Sequence, residues 1–183
     1  MNSFNESTLG EIKFLKNKKG KLTREERIIL EINNNPGIRF RELMKSMKVT
    51  NGIISYYIQK LEKVGIIFSE RKSGVSRLFA STIEISDVST IKFLRTPTPQ
   101  KIMLLLLKED LLTFKQITEK IQMSPSTTSF YLKKLVIFGI VTISSVGKKK
   151  YSLKDNECVS NLIKLYHPNI VDSASENLAD IFS

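Results

Sequence analysis

Cysteine, histidine and tryptophan are scarce in this sequence of 183 residues, which has one cysteine, one histidine and no tryptophan. The single cysteine, Cys158, excludes an internal disulfide and any multi-cysteine metal site, and the single histidine, His167, argues the same way. The longest apolar run, Ile102–Leu107, has six residues, far short of the roughly 20 that cross a bilayer. No signal peptide is visible. We therefore expect a cytoplasmic protein without a membrane partner, metal or cofactor.

Acidic residues are also too few to balance the lysines and arginines. The net charge is +11 and the isoelectric point is near 9.7, which predicts a polyanionic partner. Residues 1–95 carry a net charge of +8 and residues 96–154 a net charge of +7, whereas residues 155–183 carry −4. A solvated basic surface without a function would give similar totals, but two separate basic stretches favour nucleic acid.

The chain contains an internal repeat. Residues 55–67 are SYYIQKLEKVGII, and residues 129–141, 74 positions later, are SFYLKKLVIFGIV. Self-similarity at a fixed offset indicates that one supersecondary unit is built twice. The identical pairs are Ser55/Ser129, Tyr57/Tyr131, Lys60/Lys134, Leu61/Leu135, Gly65/Gly139 and Ile66/Ile140.

Hydrophobic periodicity and end signals predict three helices and a hairpin in each unit. In the first unit, Thr23 and Glu26 form the capping-box pattern at the start of a helix. The predicted elements there are helices at about 23–34, 40–47 and 51–64, a strand at 66–70, a hairpin tip at 71–76 and a return strand at 77–82. In the second unit they are helices at about 98–110, 114–122 and 124–138, a strand at 141–145, a tip around Gly147 and a return strand at 150–153.

Further helices are predicted outside the two units. Residues 86–94 are expected to form a short linking helix. Residues 156–166 are expected to form a helix that Pro168 ends, and Ser173–Phe182 a last one. The predicted fold class is mainly α with small β-hairpin wings, an α+β fold of two winged helix-turn-helix domains and an extra C-terminal helix. The predicted parts are a basic arm (1–22), a first domain (23–83), a linker (84–96), a second domain (97–154) and an acidic C-terminal segment (155–183).

A winged helix places its third helix in the major groove of DNA, with the wing on the backbone or in the minor groove. The outward face of that helix should therefore be polar, small or basic, as it is in both units. Each such residue alone fits a merely solvated position, but the set recurs at matching positions. The candidate DNA-binding residues of the first unit are Arg39, Thr50, Asn51, Ser55, Tyr56, Gln59, Lys60, Lys63, Arg71, Lys72 and Arg77. Those of the second unit are Ser124, Ser126, Thr127, Ser129, Phe130, Lys133, Lys134, Lys148, Lys149 and Lys150.

The strings NGIISYYIQKLEKVGII and SPSTTSFYLKKLVIFGIV resemble the winged helix-turn-helix regulators of archaea and bacteria. The similarity is to the arsenic-repressor and multiple-antibiotic-resistance superfamilies, and especially to archaeal proteins with two such domains in tandem. It covers roughly residues 23–82 and 97–154. This resemblance implies a transcriptional regulator that binds double-stranded DNA. The archaeal proteins of this type include activators of motility operons. The cysteine pair with which arsenic repressors sense metal is absent from the third helices here.

Two alternatives stay open. Winged helices also serve as interaction adaptors in transcription, chromosome and membrane-remodelling complexes, although such modules often lack a basic third helix. An enzyme is not expected, because the sequence has no Cys/His pair close together along the chain, no glycine-rich phosphate loop and no carboxylate pair on an apolar face. Candidate partners besides DNA are the basal transcription machinery and a second copy of the chain. The predicted helix at 156–166 has an apolar stripe that must be covered, formed by Val159, Leu162, Ile163 and Tyr166. Either a second copy of the chain or the chain's own second domain would cover it.

Overall fold

The computed structural model describes residues 22–72, 74–144 and 147–170. Almost all of the predicted basic arm, the predicted helix Ser173–Phe182 and parts of both hairpin tips lie outside these residues. Contacts between residues divide the chain into two units, with the boundary between Ile83 and Glu84. We call them the first and the second unit. The described residues form eight helices and six short strands, which confirms the predicted α+β class.

The first unit has three helices and a three-stranded antiparallel sheet in the order β1-β3-β2. Its core contains isoleucines and leucines from every helix, among them Ile28, Leu43 and Ile54. Such burial is the main favourable term in holding a small unit together. The elements are α1 (Arg24–Asn34), β1 (Ile38–Arg39), α2 (Phe40–Met47), α3 (Asn51–Lys63), β2 (Ile67–Lys72) and β3 (Val75–Ala80).

The second unit repeats this order and adds a helix at each end. Its sheet is antiparallel with the order β4-β6-β5. The elements are α4 (Ile85–Leu94), α5 (Pro97–Lys108), β4 (Leu112–Thr113), α6 (Phe114–Ile121), α7 (Pro125–Ile137), β5 (Val141–Ser144), β6 (Lys150–Leu153) and α8 (Asn156–Ile170). Helix α4 packs against α5 and α8, so the segment expected to link the units is part of the second one.

Local sequence signals explain where the helices begin and end. The Thr23 hydroxyl accepts from the Glu26 backbone N–H, and the Glu26 carboxylate accepts from the Thr23 N–H, which is the predicted capping box. Ser124 caps α7, and Pro125 occupies its first position. Gly65 and Gly139 follow the two third helices with φ of 74° and 68°, a left-handed conformation that glycine adopts without steric cost.

Three details differ from the sequence-based expectations. The two-residue strands β1 and β4 were not predicted, because a run so short has no detectable alternation. Lys72 pairs with Val75 in the first hairpin, so its tip is shorter than the predicted 71–76. Helix α8 continues through Pro168 to Ile170. A proline removes only one backbone donor, and a helix can continue past it with a kink.

The apolar stripe of the C-terminal helix is covered within the second unit. Helix α8 packs against α4 and α5, and Val159, Leu162 and Ile163 are 3%, 5% and 0% exposed. The side chain of Tyr166 lies outside the described part of the chain. Three of the four stripe residues therefore lie in the core of the second unit, and their burial requires no second copy of the chain.

Candidate nucleic-acid interface

The third helix of the first unit, α3, has one buried and one exposed face. Ile54, Ile58 and Leu61 are buried in the core, as the sequence predicted. Because these three lie on one side of the helix, the polar residues between them point outward. Asn51, Tyr56, Gln59, Lys60 and Lys63 are exposed, and Ser55 is half-buried.

The matching helix of the second unit, α7, is divided in the same way. Thr128, Leu132 and Leu135 are its buried residues. The Thr128 hydroxyl donates to the Ser124 carbonyl oxygen at 3.1 Å, which satisfies the buried hydroxyl within the helix itself. The predicted contact residues Ser126, Ser129, Phe130, Lys133 and Lys134 are exposed, and Thr127 is half-buried.

An exposed aromatic side chain occupies the same repeat position on both helices. Tyr56 is 63% exposed and Phe130 is 52% exposed. Each ring packs edge-to-face on the next aromatic along the chain, with centroids 5.3 Å apart for Tyr56–Tyr57 and 5.1 Å for Phe130–Tyr131. Each exposed ring offers an apolar surface, and thymine methyl groups offer a matching contact in the major groove.

The N-termini of α3 and α7 differ in the hydrogen bonds that their capping residues make. The Ser124 hydroxyl accepts from the Thr127 N–H at 3.2 Å, so part of its hydrogen-bonding capacity stabilises α7. The exposed Thr50 makes no side-chain bond to the start of α3, and an N-terminus without a cap suits a phosphate oxygen. The side-chain amide oxygen of Asn51 accepts from the Ser55 hydroxyl at 3.0 Å.

Three basic side chains of the first unit lie against carboxylates. Lys60 Nζ is 2.5 Å from Glu25 Oε2. The Arg71 guanidinium is 3.3 Å from Glu62 Oε2, and Arg39 Nε is 3.7 Å from Glu42 Oε1. The hydrogen bond that Lys60 donates to Glu25 raises the pKa of Lys60 above its usual value, against a smaller opposing effect of desolvation. Sequence reasoning missed these acids, because two of the three ion pairs join residues that are 35 and 9 positions apart in the chain.

The second unit carries its positive charge differently. Lys134 Nζ lies 4.2 Å from the centroid of the Phe130 ring, a cation–π contact that leaves its charge available. Lys148, Lys149 and Lys150 are exposed next to the second hairpin tip, and Lys149 Nζ lies 5.7 Å from the Tyr151 centroid. Among the described residues, no ion pair involves any of these four lysines or Lys133.

One predicted contact residue has a different role. Arg77 is only 8% exposed, and its guanidinium donates to the Gly37 carbonyl oxygen at 2.8 Å. The bond ties β3 to the turn before β1, so the expectation that Arg77 contacts DNA was wrong. The remaining wing residues of the first unit, Arg71 and Lys72, are exposed at the end of β2.

Two other features are absent from the described residues. No group of three or more His, Cys, Asp or Glu side chains among them is placed to hold a metal ion. In the same part of the chain, no helix has the length and apolarity to cross a membrane.

Comparisons with known proteins agree with the geometry of both units. Residues 22–67 match the model of the winged helix-turn-helix DNA-binding family. Residues 96–142 match that of the bacterial regulatory protein arsR family. The two matches contain both third helices and identify the chain as a tandem winged helix-turn-helix protein of the type found in transcriptional regulators.

Two individual proteins are also similar. An uncharacterized HTH-type transcriptional regulator of Methanocaldococcus jannaschii is 26% identical over 134 residues, which are 68% of this chain and 34% of that protein. The chain thus spans about a third of the relative's length. A crystal structure of a Corynebacterium diphtheriae protein covers 71% of this chain and 26% of its own, with 18% identity and a TM-score of 0.28. A score that low supports no inference.

Proposed function

From the two winged helix-turn-helix domains in this one chain, we infer that the protein is a sequence-specific transcriptional regulator that reads double-stranded DNA with α3 and α7. The observation that carries this proposal is the recurrence of one exposed face at matching positions of both helices. The width of the major groove admits an α-helix. A polar, aromatic and basic outward face is what contact with base edges and phosphates requires.

The side chains divide into base readers and phosphate binders. The exposed Gln59 has the carboxamide that pairs with adenine, and Tyr56 and Phe130 offer ring surface to thymine methyl groups. The lysines of α7 and of the second hairpin neutralise phosphates, which supplies affinity without sequence preference. The proposed recognition is therefore weighted to bases in the first unit and to backbone in the second.

An adaptor role in a protein complex is the alternative, and the exposed charge argues against it. The cores of protein interfaces are depleted in lysine, whereas four lysines of α3 and α7 lie on the outward faces, namely Lys60, Lys63, Lys133 and Lys134. A polyanion matches such a face better than a protein surface.

Selection from a pool of random duplexes tests the proposal. The purified full chain is incubated with the pool, bound duplexes are recovered and amplified, and the cycle is repeated at rising salt. We expect a shared motif, and chemical footprints in the major groove at the enriched bases. A pool that stays random after several cycles, with binding retained, would reduce the protein to a sequence-independent binder.

A further inference from the structure

At three matching positions of the repeat, the first unit has an ion-paired glutamate and the second unit has no acidic residue. The first unit has Glu25, Glu42 and Glu62 there. The positions 74 residues later hold Pro99, Gln116 and Val136. Every one of the three carboxylates in the first unit pairs with a basic residue of the proposed DNA surface.

The contacts come from separate parts of the fold. Glu25 lies in the first turn of α1 and reaches Lys60 near the end of α3. Glu62, on α3 itself, reaches Arg71 at the end of β2. These two acids are the more enclosed members, with side chains 27% and 24% exposed. The basic partners remain 47% exposed for Lys60 and 69% exposed for Arg71, and each lies against a carboxylate of its own unit.

At the matching positions of Glu42 and Gln116, the same helix-capping bond can be compared with and without a negative charge. The Glu42 carboxylate accepts from the Arg39 backbone N–H at 3.0 Å. In the second unit, the Gln116 amide oxygen accepts from the Thr113 N–H at 2.9 Å. The helix-capping bond is thus made with and without a negative charge, so the cap does not need the charge of Glu42.

We propose that Glu25, Glu42 and Glu62 are internal competitors of DNA phosphate, which restrain sequence-independent binding by the first unit and leave most of it to the second. This inference rests on the proposed function. A phosphate that approaches Lys60 or Arg71 must displace a carboxylate and lie beside its negative charge. Exposed ion pairs are weak, so the exchange is feasible, but it cancels part of the gain from releasing counterions.

Charge-removing variants of the full chain test the inference. Glu25→Gln and Glu62→Gln keep side-chain shape and free Lys60 and Arg71. We expect each to bind a random-sequence duplex about two- to fivefold more tightly at low salt, with the slope of log affinity against log salt steeper by up to about 0.9. Fluorescence anisotropy with a labelled duplex measures both quantities, and circular dichroism verifies that the variants fold.

Glu119→Gln is the matched control. It removes the same charge from an exposed pair with Lys115 on α6, outside the proposed surface, and should change affinity little. A second matched pair compares equivalent lysines. Because Lys134 has no carboxylate partner among the described residues and Lys60 has Glu25, Lys134→Ala should weaken random-duplex binding more than Lys60→Ala.

The outcomes are distinct. If the wild-type chain binds DNA but Glu25→Gln and Glu62→Gln behave like Glu119→Gln, the carboxylates only stabilise the fold and the inference is overturned, while the proposed function stands. Equal losses for Lys60→Ala and Lys134→Ala would overturn it as well. If the wild-type chain binds no duplex at low salt, the proposed function itself fails.

Discussion

Leu111 takes the backbone position in the second unit that Gly37 takes in the first. The two residues are 74 positions apart and have φ of 58° and 72°. Each directly precedes the short strand that leads into the second helix of its unit. A residue with a side chain pays a steric cost in this left-handed conformation that glycine does not pay. The second unit thus holds a leucine, 46% exposed, at a strained turn.

Replacing Leu111 with glycine should therefore stabilise the protein. Relief of about 1–2 kcal/mol of strain outweighs about 0.5–1 kcal/mol of extra chain entropy in the unfolded state. We expect the free energy of unfolding, measured by urea denaturation, to rise by about 0.5–1 kcal/mol. Gly37→Ala is the matched opposite and should destabilise. A Leu111→Gly protein that is less stable than wild type would contradict the strain argument.

Gln59→Ala tests base reading by α3. Loss of a bidentate contact to adenine should cost about 1–3 kcal/mol on the selected site and little on random DNA. Lys63→Ala, one turn further along the same exposed face, should weaken binding to both duplexes alike. Competition binding with the two duplexes measures the ratio of affinities. Equal losses on both for Gln59→Ala would remove this residue from the set of base readers.

Arg77→Ala distinguishes a structural arginine from a DNA contact. The buried guanidinium donates to the Gly37 carbonyl, and loss of a charged hydrogen bond costs about 1.5–3 kcal/mol. We expect that loss in the unfolding free energy of the variant. Arg71→Ala, on the exposed end of β2, should leave stability nearly unchanged. The assignment fails if Arg77→Ala is as stable as wild type and loses DNA affinity.

Two leucines on α8 test whether its stripe is internal. Leu162 is 5% exposed and Leu165 is 58% exposed. A charge at Leu162 replaces core packing with an unpaired buried carboxylate, so Leu162→Asp should destabilise by at least about 3 kcal/mol. Leu165→Asp should stay folded with little change. Urea denaturation and sedimentation separate the cases, and a folded, monomeric Leu162→Asp derived from a dimeric wild type would restore the subunit-interface explanation.

Local patterns in the sequence predicted much of the fold. The repeat around Ser55 and Ser129 identified two equivalent units, and the Thr23–Glu26 spacing located a helix start that the structure confirms. The inward stripe of α3 also followed from its spacing, because three buried residues on a helix recur at a period of 3.6. These features depend on neighbours a few positions apart.

The features that the sequence did not predict depend on contacts between residues far apart in the chain. Arg77 binds a carbonyl 40 residues earlier in the chain, and Lys60 a carboxylate 35 residues earlier. An arginine near a wing tip has the same local pattern whether it points to DNA or to its own fold. Only tertiary packing decides between these two orientations of the arginine. Tertiary packing also buries Leu162 within the second unit.

The salt dependence of binding is the most direct test of the central claim that the protein binds double-stranded DNA. The full chain is titrated with one duplex at several salt concentrations, beside a variant with Lys148, Lys149 and Lys150 changed to alanine. With roughly 6–10 phosphates neutralised, affinity should fall steeply with salt, and the variant's slope should be shallower by about 0.9 for each phosphate that the alanines no longer neutralise. Binding that is absent at low salt, or that does not change with salt, would contradict the account.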